Sequence, residues 1–276
     1  MTPIVAALAY AVITTALAPL LLTRGRWQVW RPRLALACWH GALATSVAAL
    51  VFSAVYALAL ANMHGLQGGG GVTVLLGLGA WAVAFALAVG CALVLGRSEP
   101  VVRREQGVKD HLRYAAMRCR QSVETRAGTT IRFVETDAPI AYSFHAPEAT
   151  VVVSAALRRR LSSRELEAVI AHESAHLHGR HHLALRLANI NAACLPGFAP
   201  ARRLMTSTRF LVELIADDTA AASCGTETAA SALTIMAQLT ARPELAMRAE
   251  RLSATHGRVG RIRAKGWLLR TRFSQS

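Results

Sequence analysis

Two histidines and a glutamate stand in the order H-E-x-x-H at His172, Glu173 and His176. On a helix, residues four apart share a face, so His172 and His176 can offer two imidazoles to one metal ion. Glu173 lies beside them, placed to act as the base that takes a proton from an attacking water. A helix is predicted here because Ser162 and Glu165 have the spacing of a capping box, followed by the periodic run Leu166 to Ala171. Two histidines leave a zinc site incomplete, and two patterns compete to finish it. Read literally, His172 to His182 is H-E-x-x-H-x-x-G-x-x-H, the metzincin pattern, with Gly179 and His182 in register and Met205 as the nearest candidate for a Met-turn. Alternatively, Glu213 on a later helix is the third ligand, the gluzincin arrangement. Asp217, one turn on, would then accept a hydrogen bond from the far nitrogen of a ligand histidine. Glu213 is favoured. Register matches are cheap in the histidine-rich stretch from His178 to His182, whereas two acids on one face of the apolar run Phe210 to Ala220 need a reason.

The elements that must carry these residues divide the 276-residue chain in three. Hydrophobic residues make up 53% and the mean hydropathy is +0.34. They concentrate in the first hundred positions, which predicts a membrane protein. Three apolar runs, Ile4 to Leu22, Leu34 to about Ala61 and Val72 to Leu95, approach or exceed the roughly 20 residues that cross a bilayer. Arg24, Arg26, Arg31 and Arg33 lie between the first two runs, with Trp27 and Trp30 suited to the headgroup layer. Arg97, Arg103, Arg104 and Lys109 follow the third. The connection from Asn62 to Gly71 is uncharged and ends in four glycines. It reads as a flexible turn, since no Lys-Ser/Thr follows to make a phosphate cradle. By the positive-inside rule, the N-terminus is outside and everything after Gly96 is cytoplasmic.

Beyond the spans, Glu99 to Ala127 is expected to be polar and helical. Thr130 to Val134, Ile140 to Phe144 and Ala149 to Ser154 are predicted strands of a small sheet, punctuated by Pro139 and Pro147. If Val151 to Val153 forms an edge, it could hold a substrate by strand addition. Leu183 to Phe198 is too polar for a span, broken by Arg186, Asn189, Asn191 and Pro196, but could pack on the bilayer surface. The division is thus a membrane domain over 1–96, a zinc domain over 97–245, and a basic tail over 246–276 with Arg258, Arg261, Arg263, Lys265, Arg270 and Arg272. The net charge of +15 is assigned to such cytoplasmic segments. No direct nucleic-acid contact is expected, because no recognised reading motif accompanies the charge. None of the five cysteines forms a C-x-x-C pair. Cys38 and Cys91, in apolar runs, are expected to be buried thiols, and no disulfide framework is read.

With these pieces assembled, the chain resembles the BlaR/MecR-type membrane metallopeptidases, the antirepressor proteases of bacterial β-lactam sensing. The resemblance rests on Ser163 to His176, the Pro196-to-Met205 connection, Glu213 to Asp217, and three spans ahead of the zinc motif. It implies His172, His176 and Glu213 as zinc ligands, Glu173 as catalytic base, and a multi-pass protein of the bacterial inner membrane. It implies an α-helical fold: three transmembrane helices, then a mainly helical gluzincin domain with a small sheet. Relatives that sense antibiotics carry a fourth span and an extracellular penicillin-binding domain. No apolar run of that length follows the motif here, so a short form is expected, cleaving a protein or peptide substrate such as a winged-helix repressor of the BlaI type. The HtpX/Ste24-type quality-control proteases share the site and form a second reading. A third is a non-catalytic membrane scaffold or receptor whose zinc is structural and closed by four protein ligands. For a further oxyanion donor the candidates are Arg248, Arg251, His256 and Tyr142.

Overall fold

A computed structural model of the chain describes residues 2–22, 27–65, 71–118, 121–126, 128–145 and 148–254. Arg24, Arg26, Gly68 to Gly70, Cys119, Pro147, His256 and the basic residues from Arg258 to Arg272 lie outside these. The elements, in order, are α1 (Thr2–Leu22), α2 (Trp27–Trp30), α3 (Pro32–Gly65) and α4 (Gly71–Arg118). Then come β1 (Gln121–Arg126), β2 (Thr129–Val134), β3 (Ala141–His145) and β4 (Ala149–Ser154), followed by α5 (Ala155–Arg160), α6 (Ser163–His178), α7 (His181–Cys194), α8 (Ala199–Cys224) and α9 (Thr226–Thr240). A last helical segment, α10, covers 243–254. The protein is mainly helical with one small sheet, as the sequence predicts.

Among the described residues, three stretches are long and apolar enough to cross a membrane: Thr2–Leu22, Pro32–Leu60 and Gly77–Gly107, with mean hydropathies of 2.2, 2.1 and 2.3. They overlap the three predicted runs. The third does not stop where the apolar residues do: α4 continues through Arg97, Pro100, Arg103 and Arg104 to Arg118. Helix propagation costs little once a nucleus exists, and the arginines are good helix formers, so α4 continues even though it carries Pro100 inside it.

The chain forms two compact units that do not follow the sequence division. One comprises Met1–Gln106 together with Leu183–Leu211. Within it Ala35 and Trp39 of α3 share a buried cluster with Ala188 of α7 and Leu204 and Leu211 of α8. Two of the polar residues that interrupt the Leu183–Phe198 stretch have side-chain partners. Arg186 donates to Glu105 (2.9 Å) and Arg209 donates to Asn189 (3.2 Å). Cys38 is half-buried and Cys91 exposed, so the expectation of buried thiols fails. An apolar run in a membrane-length helix does not bury every face, and large residues such as Trp81, Phe85 and Leu95 are also exposed.

The other unit comprises Gly107–His182 and the described residues from Val212 onward. Its sheet has the order β1-β2-β4-β3. β1 pairs antiparallel with β2, with Arg126 opposite Thr129, and Gly128 before β2 has φ +77°, a conformation that costs glycine little. β1 occupies residues expected to be helical; the β-branched Val123 and Thr125 opposite Arg132 and Thr130 suit strand pairing better than helix. β4 pairs parallel with β2 and antiparallel with β3, so it is central and not the edge considered for Val151 to Val153. Its burial explains why: Val151, Val152 and Val153 have no exposed surface, and a strand covered on both faces reads as a continuous apolar run. Ile131, Phe133, Val151 and Val153 point to one face and meet Leu157, Ala168, Val169 and Ile170 in the main core. Leu245, Ala249 and Leu252 of α10 enter the same core. The segment from 246 to 254 therefore belongs to the folded unit and not to a tail.

Candidate metal centre

The metal helix starts where the sequence places its cap. Ser162 Oγ accepts from the Glu165 N–H, and the Glu165 carboxylate accepts from the Ser162 N–H (2.8 Å), a capping box. Such a cap contributes about 1 kcal/mol. Ser231 of α9 also donates to Glu165 (2.5 Å), and that bond, with those of the cap, holds the carboxyl below its ordinary range. The helix phase is thereby fixed: Ala168, Val169 and Ile170 enter the core while His172 and His176 lie half-buried, one turn apart.

α8 supplies the acids. Leu211, Val212, Leu214, Ile215 and Ala216 are buried, which leaves Glu213 half-buried and Asp217, 1% exposed, pointing inward. His172, His176 and Glu213 converge, with one potential ligand atom of each within 4.8 Å of the others. The two Nε2 atoms are 3.2 Å apart, and each lies 3.6 Å from an oxygen of Glu213. Both Nδ1 atoms are engaged elsewhere: that of His172 lies 3.1 Å from Asp217 Oδ1 and that of His176 lies 3.0 Å from His181 Nδ1. Two imidazoles held from behind, with their Nε2 atoms aimed at one carboxylate, fit a divalent metal such as zinc. Among the described residues, no further His, Cys, Asp or Glu joins this group. His182 does not join it, and Met205 lies within the helix α8, packed against the Ala35 and Trp39 cluster rather than in a turn. Glu173 accepts a hydrogen bond from Ser143 Oγ of β3 (2.9 Å).

Arg248 of α10 ties the acids together. Its Nε and Nη2 donate to the two Asp217 oxygens at 2.8 and 2.6 Å, and its Nη1 donates to Glu213 Oε2 at 2.7 Å. One turn on, Arg251 pairs with Asp218. Arg248 and Arg251, oxyanion candidates by sequence, both pair with acids of α8, and Arg248 Nη2 also lies 3.5 Å from His172 Nε2. The repeat Leu245, Ala249, Leu252 was the available sign that 243–254 is an amphipathic helix with a buried face. Ser143 carries no comparable sign, because a lone serine in a strand has no spacing to read. Tyr142 packs with Val134, Phe144 and Val152.

The charges follow from these contacts. Burial lowers the His172 pKa, but its bonds to Asp217 and Glu213 outweigh that and raise it to about 9. Burial and the neighbouring His172 pull His176 down to about 4. Burial acts to raise both Glu213 and Asp217, yet the His172 and Arg248 contacts outweigh it and bring each to about 2. Burial pushes the Glu173 carboxyl up, toward the range useful to a general base.

Residues 104–212 match the family described as Peptidase family M48. The matched segment contains His172, Glu173 and His176 and stops one residue before Glu213. No curated protein matches the chain. The family match and the His172, His176 and Glu213 cluster together support a metallopeptidase.

These pKa directions predict the proton balance of metal binding. At pH 7 the metal-free His172 is protonated, while His176, Glu213 and Asp217 are not. A metal takes the neutral imidazole, so zinc binding at pH 7 releases about one proton per chain. Below pH 9, zinc affinity weakens roughly tenfold for each unit the pH falls, until other ligands begin to titrate. Calorimetric titration in two buffers of different ionisation enthalpy measures this. Release near zero would mean that His172 is neutral before binding, and release near two that His176 is also charged.

Proposed function

We propose that the chain is an integral-membrane zinc endopeptidase that hydrolyses peptide bonds on the cytoplasmic side. The observation that carries the reading is the convergence of His172, His176 and Glu213 beside Glu173. His172, His176 and Glu213 would hold the zinc ion. When bound there, zinc acidifies water and polarises the scissile carbonyl. Glu173 takes the proton of the attacking water and delivers it to the leaving amine. Ser143 keeps that carboxylate directed, and Arg248 keeps Glu213 ionised. The edge strand β3 lies beside α6 and offers an extended substrate its backbone. Three candidate ligands among the described residues leave a position for water and substrate, which favours an enzyme over a structural site closed by four.

Membrane insertion is supported by the three long apolar helices. Large apolar residues exposed along them, among them Val12, Leu75, Trp81 and Phe85, suit lipid. The orientation, with the N-terminus outside, follows from the arginines. A reporter fused after Ala254 then behaves as cytoplasmic; its labelling from outside the cell would overturn the orientation. The finer reading, cleavage of a winged-helix repressor of the BlaI type at the bacterial inner membrane, rests on the BlaR/MecR resemblance of the motif, the Glu213-to-Asp217 pair and the spans.

Glu173→Gln keeps size and one acceptor but removes the base. Zinc content and fold should survive while proteolysis falls by about 10²- to 10⁴-fold, the range credited to general acid–base help. Purified full-length protein in nanodiscs, assayed for bound zinc and for cleavage of a candidate repressor, reads both. Undiminished cleavage would remove Glu173 from the reaction. Comparing cellular proteomes of wild type and variant then identifies the substrate: a single stabilised cytoplasmic regulator supports the repressor reading, and accumulated membrane proteins support quality control.

A further inference from the structure

His181 is one of several histidines following the metal motif, and the proposed reaction does not use it. Its placement is nevertheless built. The side chain is buried, and its ring meets that of His176 edge-on, with centroids 4.9 Å apart and planes at 89°. Two backbone features at the α6–α7 junction accompany this. Arg180, directly after α6, has φ +48°, a left-handed conformation that is rare for a residue with a side chain. Gly179 has an ordinary right-handed backbone, φ −74° and ψ −4°, so it is not glycine for conformational freedom. A Cβ at Gly179 would lie 2.5 Å from His181 Nε2, 2.7 Å from its Cδ2 and 2.9 Å from the Ala175 carbonyl. The space that any other residue would fill is taken by the His181 ring.

The hydrogen bond fixes a protonation pattern. A neutral imidazole that binds a metal offers the lone pair of one nitrogen and carries its proton on the other. The nitrogen of His176 that faces His172 and Glu213 is Nε2, so its Nδ1 must carry the proton and needs an acceptor. The atom 3.0 Å away is His181 Nδ1, which can accept only if His181 holds its own proton on Nε2. The corresponding acceptor for His172 is a carboxylate, that of Asp217; for His176 it is an imidazole nitrogen.

We infer that His181 is a positioning residue that accepts the Nδ1–H of His176 and thereby sets the tautomer and orientation of that ring for metal binding. The inference rests on the reading that His172, His176 and Glu213 hold zinc. Asn and Gln variants separate acceptor position from polarity. The Asn side-chain oxygen can stand where His Nδ1 stands, whereas that of Gln reaches nearer to Nε2.

The test is zinc affinity of the full-length protein in detergent, by competition with a chromophoric chelator, for wild type, His181→Asn, His181→Gln and His181→Phe. The visible absorption of the cobalt-substituted forms is recorded alongside. Loss of such an orienting partner typically weakens metal binding by about 10- to 100-fold. That loss is expected for Phe and Gln, with a shifted cobalt spectrum, while Asn stays within about threefold of wild type and keeps its spectrum. Phe binding zinc as wild type does, or Asn binding as poorly as Phe, overturns the inference. Should Phe fail to fold, the Asn and Gln pair decides: a normal Asn with a weak Gln supports the role, and equal affinities refute it. Wild type that binds no zinc overturns this inference together with the metal reading, whereas normal wild-type binding with an unaffected Phe variant removes only His181.

Discussion

The centre depends on one buried carboxylate. Asp217 is 1% exposed and stands between a guanidinium and an imidazole: Arg248 grips both of its oxygens, and His172 Nδ1 lies against one of them. Taking such a charge out of water is tolerated only with partners of this quality, and removing one partner of a buried pair costs about 3–5 kcal/mol. The same contacts couple three helices that are far apart in sequence. α6 brings the histidines, α8 the acids and α10 the arginine. His172 and Glu213 are therefore each held by a group that is itself held. Precision in the metal site follows from that second layer more than from the ligands alone.

The sheet makes a separate contribution. Because β4 is buried between β2 and β3, β3 becomes an edge, and that edge brings Ser143 to Glu173. Glu173 and His172 are adjacent on α6 and point about 100° apart. One turns toward the acids of α8 and the other toward the strand. In the proposed reaction a single helix would thus serve metal binding on one side and proton transfer on the other, a division set by helical geometry.

Those parts of the site that have a short repeat were legible in the sequence. The H-E-x-x-H spacing, the capping box at Ser162 and Glu165, and the Glu213 and Asp217 spacing each encode a shared face within one helix. The three apolar helices were legible for the same reason, as composition within a single element. What the sequence hid depends on tertiary placement. Arg248 and Ser143 reach the site from elements whose neighbours are not set by spacing. His181 is one of several histidines in a dense run, and only the left-handed turn at Arg180 sets it off from His178. The strand order was hidden too: an apolar run such as Val151 to Val153 shows burial but not which strands lie on either side. β1 was missed because its alternation is weak and its pairing partner, not its own sequence, makes it a strand.

In the proposed centre two imidazoles and the Glu213 carboxylate hold one zinc ion. X-ray absorption at the zinc edge, on full-length protein in detergent loaded with one equivalent, tests it most directly. The account predicts two histidine nitrogens with oxygen completing the shell, all at about 2.0–2.2 Å, and no sulfur. Three imidazoles would give His182 or another histidine the place of Glu213, and a sulfur shell or zinc lost to a weak chelator would contradict the account altogether.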